Sequence, residues 1–361
     1  MATRVSIVSW RWARIWAVAC LVALAVIMWL WSERNRLRNP PEAQLIVSGL
    51  EPGQSLDVTL LRRPDFLLPP EAPWSWTGEA EDALLELAVP AGILELQAGA
   101  RRVPILLRRG DEVHVNLTPP PAGLIRIPKG AFLAALDFRL EETDAFLIGA
   151  SELSVAEYGR FLDAIRGLGE TEPFTPWCGD EERDAHPAGC PGHRPSENGE
   201  DLWPRLSEGH AGQVAVRFVT WYDAVAYCRF ASDEAQRDGR NLKYRLPTEL
   251  EWQKAARGVD GRPFPWGFDQ GDVQQRVLDG GNLALDSHPQ LRSPYGLFHC
   301  GSAVAEWVAD SEGRFRRRVM GTTWDLHTDR IHLGYGVGEN PGERSVFLGF
   351  RVAAEPWHRP L

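Results

Sequence analysis

The residues best equipped for chemistry fall in two short clusters. His327, Asp329 and His332 lie within six positions of one another. Two imidazoles and a carboxylate make a donor set for non-haem iron or zinc. The same spacing also fits a solvent-facing loop that scatters histidines, and that plainer reading stands beside it. The second cluster is PWCGDEERDAHPAGCPGHRP, where eleven residues separate Cys178 from Cys190. Three readings apply to it. A disulfide closing a loop of this size stabilises by about 3 kcal/mol in the chain-entropy estimate, and an oxidising compartment favours it. With His186 and His193 the cysteines form Cys-x7-His-x3-Cys-x2-His, a zinc-type ligand set that matches no common zinc module. Free thiols are the third reading. Cys20, Cys228 and Cys300 fall in apolar or core-like segments, and spacing suggests no partner for them.

These clusters need elements to hold them. A chain of 361 residues suits two domains and an anchor. Its 27 prolines, 34 glycines and 15 tryptophans point to a loop-rich, aromatic-packed architecture and away from a helical bundle. The net charge of −10 excludes a nucleic-acid backbone as partner, because phosphate binding needs a basic surface.

Residues Ile15 to Trp31 form an uncharged apolar run. At about 1.5 Å per residue such a helix just spans a hydrocarbon core of roughly 30 Å. Trp10, Trp12, Trp29 and Trp31 sit where an aromatic belt belongs, and flanking arginines can snorkel to the headgroups. A signal peptide would show a small-residue cleavage site, but the run ends in Trp31-Ser32-Glu33, so an uncleaved anchor in the lipid bilayer is expected. Arg4, Arg11 and Arg14 outweigh Arg34, Arg36 and Arg38 once Glu33 is subtracted. That bias leaves residues 1–14 in the cytoplasm and exports the bulk of the chain to the periplasmic side. Residues 1–43 are therefore read as cytoplasmic tip, anchor and tether.

Residues 44–121 carry LIVSGL, LDVTLLRR, LLELAV, ILELQAG, RVPILLRR and EVHVNL, mostly with two-residue alternation and parted by Gly- and Pro-rich turns. This predicts a small all-β sandwich of about seven strands. Its pattern resembles the PEGA-like and carboxypeptidase-regulatory-like modules that follow membrane anchors in the bacterial envelope. Pro119, Pro120 and Pro121 read as a stiff hinge to a second domain, residues 122–361.

That second domain shows landmarks in a fixed order. They are LIRIPKGAFL from Leu124, FLIGASELSVAEYGRFLDAI from Phe146, VTWYDAVAYCRFA from Val219, YRLPTELEWQKAARGVDGRPFPWG from Tyr244, SPYGLFHCGSAVAEW from Ser293, and MGTTWD through FLGFRVA from Met320. Locally they make physical sense. Ser154 caps a helix with Glu157 three residues on, as a capping box requires. Pro247 is expected just inside a helix start, with Glu249 and Glu251 in the first turn as ion-pair partners. Leu250, Trp252, Ala255 and Ala256 form its buried side, and Gly258 stops it.

Together the landmarks resemble the formylglycine-generating enzyme, or sulfatase-modifying factor, family. The resemblance implies an α+β, C-type-lectin-like fold with little regular structure. It also implies a test of the chemistry. The family uses two cysteines after a Gly-Gly-Ser-Trp turn to bind copper, and soft thiolates suit Cu(I). Here the turn reads Met320-Gly-Thr-Thr-Trp324, and the positions aligned with the cysteines are Leu326 and Ile331. Neither can hold copper, so no catalytic residue and no copper are carried over. Asn282 and Glu306 match calcium-binding segments of the family, although Ala303 stands where the family has an Asn ligand.

The expected function is a non-catalytic binding module, a pseudoenzyme that takes a peptide, a glycan or an envelope protein. Trp324, His327, Arg330, His332, Tyr335 and Arg344 are the candidates for its groove. The alternative is an oxidase converting a sulfatase cysteine to formylglycine, or another metal-dependent oxidase, with a rearranged site that would need Cys228 or Cys300 nearby. A scaffolding role in an envelope assembly is the third reading.

Overall fold

The computed structural model describes residues 42–62, 74–80, 84–166, 213–269, 284–301, 304–321 and 333–356. The predicted strands of the first module are present. They are β1 (Glu42–Ser48), β2 (Ser55–Arg62), β4 (Leu84–Pro90), β5 (Gly92–Ala98), β6 (Arg101–Leu107) and β7 (Glu112–Asn116), with an additional β3 (Ser75–Glu79). Alternation does what it should: Ala43, Leu45 and Val47 of β1 face Leu56, Val58 and Leu60 of β2 in one core, and polar neighbours face out. β6 ends in a continuous apolar run, Val103 to Leu107, all of it buried, while β5 alternates buried residues with half-buried Glu95 and Gln97.

The expected self-contained sandwich is not what forms. One sheet has the order β4-β1-β7, while the other continues past the Pro119–Pro121 hinge. The larger sheet runs β10-β9-β6-β5-β2-β3 and takes in β9 (Gly130–Ala134) and β10 (Arg139–Thr143). LIRIPKGAFL, one continuous landmark in the sequence, is split at Pro128-Lys129 into β8 (Leu124–Ile127) and β9, which enter different sheets. The Lys254 ammonium holds this corner by donating to the carbonyls of Pro128 and Gly130 at 2.7 and 2.8 Å. Pro104, inside β6, has no N–H to offer, and β6 meets β9 only at Leu106↔Ala131. Tyr295 takes the Pro104 carbonyl instead, at 2.9 Å. The aliphatic core of the strands therefore merges with Trp252, Tyr295, Leu297 and Met320 of the second half.

The second half adds β11 (Phe146–Gly149), α1 (Val155–Arg166), α2 (Trp221–Arg237), β12 (Leu242–Arg245), α3 (Glu249–Arg257), β13 (Ala305–Glu312), β14 (Arg316–Met320), β15 (Gly336–Glu339), β16 (Leu348–Gly349) and β17 (Ala353–Pro356). Its two sheets have the orders β12-β17-β11-β8 and β15-β14-β13-β16. Each labelled helix starts on a capping box: Ser154 with Glu157, Thr220 with Asp223, and Thr248 with Glu251. Pro247 thus lies one residue before the cap and not inside the helix. As expected, Glu251 pairs with Arg245 at 2.7 Å and Glu249 with Arg318 at 3.1 Å. Among the described residues no helix is long and apolar enough to cross a membrane. The apolar run 15–31 lies outside them.

Candidate functional site

Most of the residues singled out by sequence, namely Trp324, His327, Arg330, His332, Asn282, Cys178 and Cys190, lie outside the described residues. Three lie within them. Tyr335, just before β15, is 39% exposed and available to a ligand. Arg344 is not available in the same way. Its Nη1 donates to the Phe218 carbonyl at 2.9 Å and lies 3.1 Å from Asp223 Oδ2, so it clamps the start of α2. Glu306 also departs from expectation. Its Oε2 accepts from Trp252 Nε1 at 2.9 Å and from Arg351 Nε at 2.6 Å, and its Oε1 accepts from Arg351 Nη2 at 2.8 Å. A guanidinium already neutralises this fully buried carboxylate, so Glu306 does not fit a calcium ion.

The Arg351 guanidinium organises a charged cluster beside a cavity of the described structure. It donates to the carbonyls of Gly149 and Phe298 as well as to Glu306, fixing the end of β11 against the segment before β13. Glu152 sits 3.8 Å away from it. Both Glu152 oxygens are buried and accept no hydrogen bond within the protein. Burial pushes its carboxyl up to about 8, against the pull of Arg351. Above it opens a cavity of about 880 Å³, lined by Glu152, Arg160, Gln213, Tyr227, Tyr244 and Asp286 among others. That size is in the range of small-ligand sites. His299 borders the same cluster. Burial pushes its imidazole down to about 4, and Nε2 meets the Ala284 carbonyl at 3.0 Å, so the neutral ring is a structural donor and not a base.

Two cysteines lie among the described residues, and neither is placed for redox chemistry. Cys228 is buried in α2 and Cys300 beside Arg351, in separate clusters of the core. Burial pushes each thiol up to about 12, so neither offers a thiolate at neutral pH. Leu326 and Ile331, the positions that the resemblance sets against the family's cysteine pair, lie outside the described residues. No group of three or more His, Cys, Asp or Glu side chains among the described residues could hold a metal ion. Sequence reasoning missed Glu152, because its significance comes from Arg351, which is remote in the chain.

Comparison with known families decides the family. The model of the sulfatase-modifying factor enzyme 1-like domain matches residues 112–356. The chain belongs to this family. The sulfatase-modifying-factor-like match begins within β7, before the Pro119–Pro121 hinge, in keeping with a sheet that crosses that point. The formylglycine-generating enzyme of Bos taurus is 28% identical over 235 residues, covering 53% of this chain and 58% of the enzyme. A Mus musculus relative named inactive C-alpha-formylglycine-generating enzyme 2 is 32% identical over 165 residues, covering 39% of this chain and 49% of the relative. This chain thus spans about half the length of the curated relatives it matches. Among solved structures, that of CarF is 21% identical with a TM-score of 0.45, covering 66% of this chain and 99% of CarF.

Proposed function

We propose that this sulfatase-modifying-factor-like protein is a membrane-anchored, exported binding module and not an oxidase. The observation that carries the reading is the loss of the thiolate pair: Leu326 and Ile331 replace it, and Cys228 and Cys300 are buried with their thiols held protonated. The mouse relative named inactive is consistent with a family branch that has given up catalysis. Anchoring rests on the apolar run Ile15 to Trp31 and its arginine and tryptophan flanks. The binding role rests on exposed Tyr335, on the neighbouring Trp324, His327, Arg330 and His332, and on the cavity above Glu152. The ligand class is a peptide, a glycan or an envelope protein. Copper binding tests the reading. In competition with a Cu(I) chelator of about micromolar affinity, the full chain should take up no copper, whereas a nanomolar site, about 4.1 kcal/mol tighter, would strip the chelator. Stoichiometric capture would overturn it.

A further inference from the structure

Strand β10 forms one side of the six-stranded sheet and pairs with β9 alone. Among the described residues, no backbone hydrogen bond outside the sheet ladders reaches residues 137–144. An open edge of this kind is a template for a further strand. An exposed apolar run leads into it from the β9–β10 turn. Leu136, Phe138 and Leu140 are 55%, 51% and 46% exposed, and they are three of the eight exposed large hydrophobic side chains of the described structure. Their concentration in five residues sets this edge apart, since singly exposed apolar side chains are ordinary.

The charges around Leu140 say what covers the patch. Arg139 and Glu141 lie two residues apart and so share one face of the strand, opposite to Leu140. Their contacts within the chain are loose: Arg139 is 3.3 Å from Asp137 and 3.6 Å from Glu141, with 61% of its side chain exposed. If two such strands run antiparallel about Leu140, Arg139 of one faces Glu141 of the other, twice, and the two leucines meet at the axis. The strand is its own electrostatic complement, as an isologous two-fold contact requires. We propose that β10 pairs with β10 of a second copy of this chain, joining two sheets across a two-fold axis. A five-residue ladder is a small interface, so the association is weak and depends on concentration.

The test uses the full chain in detergent micelles and a short thiol-to-thiol cross-linker, with the wild type as baseline for its own cysteines. Leu140→Cys should cross-link to its copy far above Phe315→Cys, whose site on the β13–β14 hairpin is 79% exposed but not on this edge. Adding Arg139→Glu to Leu140→Cys turns both charge pairs repulsive and should cut the cross-linked fraction about tenfold. Adding Glu141→Arg as well reverses both partners and should restore it. This rescue separates pairing from misfolding. Cross-linking at residue 140 no greater than at 315 would overturn the proposal. So would a yield indifferent to the charge reversal, which would mean that the charges only protect the edge.

Discussion

The strands β1 to β7 and the portion that begins at Glu152 solve the problem of a stable interior in different ways. The first has an aliphatic interior of Leu45, Val47, Leu56, Val58, Leu94, Leu96, Val103, Ile105 and Val115. Every buried polar or charged residue among the described ones lies at Glu152 or beyond. There the chain has short strands and long connections, whose carbonyls need donors that regular ladders do not supply. Long cationic side chains provide them. Arg257 donates to the carbonyls of Ala135, Gly261 and Arg262, Lys254 holds the β8–β9 corner, and Arg351 holds β11 against Phe298. Ala135, in left-handed backbone at φ 52°, is held by Arg257 and by the Gln253 side chain. Irregular structure in this fold is thus specified by buried charge, and regular structure by apolar alternation.

Substitutions in each region can break or sharpen that contrast. Arg351→Met should have the largest effect, because it leaves the Glu306 carboxylate fully buried without its cation. A loss of about 4 kcal/mol is expected, read by chemical denaturation, and low folded yield would agree. A change below about 1 kcal/mol would show that the guanidinium is not the organiser. Leu94→Ala removes an aliphatic side chain from the strand core and should cost about 3 kcal/mol through lost burial and a cavity. It should leave the environment of the tryptophans near Arg351 unchanged by near-ultraviolet circular dichroism, whereas Arg351→Met should disturb it.

The smallest expected effect is on the pH dependence of stability. The Glu152 carboxyl stands at about 8 when folded, against an ordinary value of 4.5. The folded chain keeps a proton that the unfolded chain releases between those values. Its contribution is therefore intact below about pH 4.5 and falls as the pH climbs toward 8. Glu152→Gln, neutral throughout, should remove this part of the slope in Tm between pH 5 and pH 8. An unchanged slope would mean that the carboxyl reaches water. His299 acts with the opposite sign: its contribution is complete above its ordinary 6.5 and is lost as the pH falls toward about 4.

The same contrast explains what could be read from sequence. Alternation and turn chemistry are local, so six of the strands in residues 42–116 were legible, as was the Ser154 helix start, while the start at Thr248 was placed too early, with Pro247 inside the helix. β3 was missed because SWTGE has one inward apolar residue, Trp76, half-buried against the core, and alternates otherwise with Gly and polar residues. The break at Pro128 was missed because a single apolar run gave no sign that its halves join different sheets. At the candidate site, sequence exposed what is absent, the cysteine pair, more readily than what is present. Glu152 is one acid in an apolar stretch until folding sets Arg351 beside it. Arg344 and Glu306 looked available because nothing local reveals that Asp223, Trp252 and Arg351 engage them.

The central claim is that this family member keeps the fold without the oxidase chemistry. Its most direct test is to incubate the full chain with copper, oxygen and a peptide carrying a Cys-x-Pro-x-Arg motif, and to follow the peptide mass. No aldehyde above a no-protein control is expected. Formylglycine formed in proportion to the protein added would contradict the account and place an active copper site where Leu326 and Ile331 stand.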